Sequence, residues 1–100
     1  MENLTKEKVI EILRNEYPYL NRKYHLNKLG LFGSFSKEIN TEKSDVDLLV
    51  DFSSPIGLDF IELGEYLEEK LNRKVDLVTI QGYKNSKLNI DLNKNVIYVS

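Results

Sequence analysis

The hydrophobic pattern changes period several times along the chain, and each change marks an element. From 4 to 17 the apolar residues Val9, Ile10, Leu13 and Tyr17 recur near helical spacing, so the pattern predicts a helix. Thr5 is placed to cap it, Leu4 and Val9 to staple across the cap. Pro18 is expected to stop it, because proline disfavours helical geometry in the residue before it. Residues 19–28, with Arg22, Lys23, His25 and Lys28, read as a solvated basic connection. Leu29-Gly30-Leu31-Phe32 reads as a short buried strand that Gly33-Ser34 breaks. Residues 36–43 read as a helical turn followed by a loop, with Asn40, Thr41 and Ser44 as loop residues.

Residues 45–52 read as a second strand. Strand side chains alternate between faces, so Asp45, Asp47 and Asp51 share one face while Val46, Leu48 and Val50 share the other. A turn cluster at 53–57 leads into a helix over 59–71, with Asp59 and Glu62 at capping-box spacing and Leu58 and Leu63 placed to staple it. Phe60, Leu63, Leu67 and Leu71 form its buried stripe; Glu62, Glu65, Glu68, Glu69 and Lys70 are expected to be solvated. Residues 74–80 read as a third strand, with Asp76 and Val78 on the face opposite Val75, Leu77 and Thr79, and Gly82 breaks it. A short polar helix over 85–93, with Leu88 and Leu92 inward, and a last strand over 96–99 complete the chain. The elements predict one domain over 1–100 of α/β (α+β) class, a small mixed sheet with helices mainly on one face.

Composition narrows the chemistry. The chain of 100 residues has a formal net charge of −2, which argues against binding nucleic acid through a broad basic face. With no cysteine there are no disulfides and no thiol catalysis. His25 is the only histidine, so zinc sites built on His or Cys are excluded. No apolar run approaches the roughly 20 residues of a membrane span, and the expectation is a cytoplasmic protein without membrane contact.

What remains is oxygen chemistry. Asp45 and Asp47 on one face, near the Gly33-Ser34 turn, point to metal-assisted work on a phosphate. A glycine lets a phosphate approach the backbone, and Ser34 adds a hydroxyl. Each feature also has a plain explanation: Gly-Ser is a common turn, Asp-x-Asp a common solvent face, and Asp51 a residue at an exposed strand end. Asp76 lies within an apolar strand, where an acid is costly to bury unless paired or bound to a metal. It fits an exposed edge position, or it completes a three-carboxylate cluster if its strand neighbours the Asp45–Asp47 strand.

Together the motifs resemble the minimal nucleotidyltransferase (MNT) family of the DNA polymerase β-like superfamily, over almost the whole chain. The likeness rests on Leu31-Phe32-Gly33-Ser34-Phe35, on Asp45-x-Asp47 separated from Ser34 by ten residues and set within Ser44–Val50, and on Lys74-Val75-Asp76-Leu77-Val78. It implies that Asp45 and Asp47 bind Mg²⁺. Asp76 would bind a second Mg²⁺ and help deprotonate the acceptor. Gly33 and Ser34 would hold the β- and γ-phosphates of ATP, and AMP would be transferred. Small stand-alone members are commonly antitoxins of HEPN-domain ribonuclease toxins. The resemblance therefore implies a tyrosine hydroxyl of such a toxin as acceptor, and a hetero-oligomer with it. Lys37-Glu38 departs from the family's Arg-Gly pair, losing a bidentate fork and adding an anion near the triphosphate. A binding-only antitoxin and a small-molecule nucleotidyltransferase stay open as alternatives, as does an α/β binding domain with an accidental Asp-x-Asp.

Overall fold

A computed structural model of the chain describes residues 4–33, 35–36, 43–85 and 96–100. Helix α1 (Lys6–Tyr24) opens at Thr5, whose hydroxyl accepts the Lys8 amide at 3.1 Å. The helix runs through Pro18 instead of ending there. A proline in a helix interior removes a backbone bond and costs about 3 kcal/mol. Leu20 and Tyr24 outweigh that cost. Both are buried and continue the stripe of Val9 and Leu13, and a large apolar side chain gains about 1.5–3 kcal/mol on burial. His25 ends α1 in the left-handed region (φ 58°), its amide donating to the Leu20 carbonyl. The segment 19–28 is therefore the end of a helix and the start of a strand, and the expected connection shrinks to His25.

Four strands, β1 (Leu26–Phe32), β2 (Val46–Phe52), β3 (Val75–Thr79) and β4 (Ile97–Tyr98), form one sheet in the order β3-β2-β1-β4. β1 is antiparallel to both neighbours, whereas β3 is parallel to β2. A parallel pair needs a crossover, and α2 (Asp59–Leu71) supplies it. Its bounds are those the pattern predicts, but its cap is not. Asp59 is the first helical residue, and Leu58 stands at the cap without a side-chain bond. Leu58 is 84% exposed and staples nothing. The first turn is closed by backbone bonds instead, Asp59 to Ile56 at 3.1 Å and Phe60 to Gly57 at 3.2 Å. Gly57 (φ 55°) makes that tight approach possible.

β3 stops at Thr79 because the Thr79 hydroxyl accepts the Gly82 amide at 2.9 Å, an N-cap that turns the chain into α3 (Ile80–Asn85). Gly82 thus lies inside a helix rather than ending a strand. Of the helix expected over 85–93, Leu88 and Leu92 lie outside the described residues. Val9, Leu13 and Leu20 of α1 join Leu29 and Leu31 of β1, Val46, Leu48 and Val50 of β2, and Leu63, Leu67 and Leu71 of α2 in one core. Both long helices therefore cover the same face of the sheet. Two tyrosines tie them together: Tyr24 donates to Glu62 at 3.0 Å and Tyr66 to Glu16 at 2.7 Å. Glu62 is exposed as expected, yet it carries this bond and an ion pair with Lys23 at 3.3 Å. No helix among the described residues is long and apolar enough to cross a membrane.

The balance struck at Pro18 is measurable. Leu20→Ala is expected to lower unfolding free energy by about 2–5 kcal/mol. Pro18→Ala restores an interior helix bond and is expected to raise it by about 1–3 kcal/mol. Urea denaturation of both variants checks the pair.

Candidate active site

The proposed acids meet at one end of the sheet because of strand order. β2 lies between β1 and β3, so residues at its start have a neighbour on each side. In the parallel ladder Asp47 stands opposite Asp76. Strands in a sheet lie about 4.8 Å apart and paired residues share a face, so the two carboxylates are side by side. Asp45 falls one residue before β2 rather than within it. The ladder begins at Val46, whose amide donates to the Lys74 carbonyl at 2.8 Å. Asp51 is remote from the group, at the far end of β2, and accepts a bond from the Asn27 amide at 3.2 Å.

On the other side, Phe32 is opposite Asp47, so the chain leaves β1 beside that carboxylate. Gly33 takes the left-handed conformation (φ 75°) there. A β-carbon on Gly33 would collide with the Asp47 carboxylate, lying 3.0 Å from Cγ and 3.2 Å from Cβ. Glycine is thus required twice, by its backbone angle and by the space Asp47 occupies. Ser36 closes the turn, its hydroxyl donating to the Gly33 carbonyl at 2.9 Å. Ser34, Lys37 and Glu38 lie outside the described residues.

Asp47 is half-buried, while Asp45 and Asp76 are exposed. Burial raises the Asp47 pKa above its ordinary value, and the charges of Asp76 and then Asp45 raise it further. Among the described residues no three acids, histidines or cysteines close into a metal cage. The donor set still fits a hard divalent cation. It consists of carboxylate oxygens, and the repulsion felt at Asp47 is what a positive charge would relieve. The exposure of Asp76 matches its edge position in β3, and the parallel register sets it beside Asp47.

One neighbour of the site, Arg73, escaped the sequence reading. Its Nη1 donates to the Ser44 carbonyl at 3.1 Å, and its guanidinium lies 5.6 Å from the centre of the Phe35 ring. Its only signal was a basic residue just ahead of the strand that carries Asp76.

Residues 6–99 match the family model described as Nucleotidyltransferase domain. Protein adenylyltransferase MntA of Thermococcus cleftensis is 40% identical over 100 residues, covering 99% of this chain and 100% of that one. A solved structure assigned as a minimal nucleotidyltransferase matches with a TM-score of 0.67 at 29% identity, over 82% of this chain and 84% of that one. A chain in the structure of a tri-AMPylated Shewanella oneidensis HEPN toxin in complex with MNT antitoxin matches with a TM-score of 0.52 at 22% identity. The match covers 95% of this chain and 68% of that one and is a likeness of fold.

The repulsion at Asp47 has a sign that can be tested. A raised pKa means that the folded state holds the proton more tightly than the unfolded one. Ionised Asp47 therefore lowers stability above its folded pKa, and the penalty fades as pH falls from there to the ordinary 3.8. In the absence of divalent cations, Asp47→Asn is expected to raise Tm at neutral pH, with the gap to wild type closing towards pH 3.8. Thermal melts across pH check this; a variant less stable than wild type at neutral pH contradicts it. Gly33→Ala is expected to lose about 1–2 kcal/mol from its backbone angle alone, read by urea denaturation.

Proposed function

The chain belongs to the nucleotidyltransferase domain family and is a nucleotidyltransferase, and from that premise we propose that it moves AMP from ATP to a tyrosine hydroxyl of a HEPN-type ribonuclease toxin. In this reading it is the toxin's antitoxin, forms a complex with it, and works in the cytoplasm. The observation that carries the chemistry is Asp47 set opposite Asp76, with Asp45 two residues away and Gly33 shaped around the Asp47 carboxylate.

Asp45 and Asp47 would hold Mg²⁺, with Asp76 completing a second position. When bound, Mg²⁺ would supply charge neutralisation for the phosphates and for the developing phenoxide of the tyrosine. Gly33 and Ser34 would bind the β- and γ-phosphates. Gly33 would contribute its backbone N–H, held beside the Asp47 carboxylate. Asp76 accepts the proton of the attacking hydroxyl. The hydroxyl oxygen bonds to the α-phosphorus, the bond from that phosphorus to the bridging oxygen breaks, and pyrophosphate leaves. Phosphoryl-type transfer asks mainly for positioning and charge stabilisation; the carboxylates would supply the first by holding Mg²⁺, and the cation would supply the second.

The acceptor assignment has its own support. Asp45 and Asp76 are exposed, within reach of a side chain presented by another protein. The Thermococcus relative is named as a protein adenylyltransferase, and the Shewanella structure pairs an MNT antitoxin with an AMPylated HEPN toxin.

The test is direct. Incubation with ATP, Mg²⁺ and the HEPN-type partner is expected to add mass to the partner in AMP units, seen by intact mass spectrometry. Asp45→Asn and Asp47→Asn are expected to abolish the gain while the proteins stay folded by circular dichroism. A tight complex without mass gain would instead make the chain a binding-only antitoxin. Chelation with EDTA is expected to stop transfer and excess Mg²⁺ to restore it.

A further inference from the structure

The stretch from Gly33 to Asp45 joins the turn beside Asp47 to the first acid. Both of its described ends meet one side chain. The Arg73 Nη1 donates to the carbonyl of Ser44, the residue before Asp45, at 3.1 Å. The Cζ of the same guanidinium lies over the Phe35 ring, 5.6 Å from its centre. Phe35 is fully buried, and two residues before it Gly33 abuts Asp47. Arg73 is itself firmly placed. Asn72 turns the chain through the left-handed region (φ 51°) at the end of α2, and the Arg73 amide donates to the Glu68 carbonyl at 3.3 Å. The Glu68 carboxylate then accepts the Val75 amide at 3.0 Å, fixing the start of β3.

We propose that Arg73 is a positioning residue, acting through Ser44 and Phe35 to set Asp45 and the Gly33 turn at their working separation. The inference rests on the nucleotidyltransferase mechanism above for its catalytic consequence, but the clamp itself does not. Arginine suits the task chemically. Its planar fork donates to a carbonyl along an edge while its face rests on an aromatic ring. Lysine, a point donor on a flexible stem, serves the carbonyl alone. Arg73 also sits three residues before Asp76, so the same short link carries one acid and clamps the approach to another.

Three variants of the full chain test this: Arg73→Ala, Arg73→Lys and Phe35→Leu. In the protein without nucleotide, hydrogen exchange at the Val46 amide is expected to quicken at least tenfold in Arg73→Ala, with Leu48, Leu63 and Leu67 protected as before. In the transfer assay, kcat is expected to fall about 10- to 100-fold. The Mg²⁺ concentration for half-maximal rate is expected to rise, while KM for the partner protein stays unchanged. Arg73→Lys is expected to recover part of both effects, and Phe35→Leu to reproduce part of them. Unchanged exchange at Val46 overturns the clamp. Faster exchange with unchanged kcat and Mg²⁺ dependence overturns the positioning role, as does a loss that tracks Tm equally in the alanine and lysine variants. If wild type transfers nothing, the mechanism falls by itself, and the exchange comparison still decides the clamp.

Discussion

Keeping Asp47 beside Asp76 is the constraint on which the rest depends. Two carboxylates in register on neighbouring strands repel; partial burial, and then the charges of Asp76 and Asp45, hold the Asp47 carboxyl above its ordinary pKa. What holds them is the apolar remainder of β2. Val46, Leu48, Leu49 and Val50 are all fully buried. A slip of one residue would exchange the faces of the strand, drawing Asp47 inward and lifting Leu48 out. The core thus stabilises a local arrangement that electrostatics alone would open.

The same constraint explains the surroundings. β2 must lie inside the sheet for one acid to have Gly33 on one flank and Asp76 on the other. β3 must run parallel to β2 to bring Asp76 to the same end, and a parallel return needs α2 between them. Helix α2 needs an abrupt end, which Asn72 provides in a conformation that few residues other than Gly, Asn and Asp adopt easily. α1 then continues past Pro18 so that Leu20 and Tyr24 seal the core on which both α2 and β2 rest.

Unbalanced negative charge at an exposed sheet end also gives the site its chemical direction. Carboxylate oxygens gathered at one end of the sheet are the donors a hard divalent cation would take, and Gly33 keeps a β-carbon away from where Asp47 stands. This is consistent with a family whose chemistry is transfer of a nucleotidyl group.

Much of this was legible from residues near one another in the chain. Alternation along 45–52 separates the acids from the core, helical spacing sets the bounds of α2, and Gly33 marks the break after β1. These are local matters of period and backbone angle, which the sequence by itself determines. It misjudged places where a local rule met a distant contact. Pro18 should end a helix, but burial of Leu20 and Tyr24 carries it through. Asp59 has the spacing of a cap, but the turn at Gly57 closes the helix with backbone bonds. Whether Asp76 was an edge acid or a member of the site depended on strand order. Arg73 carried no periodic signal, because its partners Ser44 and Phe35 lie on another part of the chain. Those decisions belong to tertiary structure, since only packing brings strands into register and a guanidinium onto a ring far away in sequence.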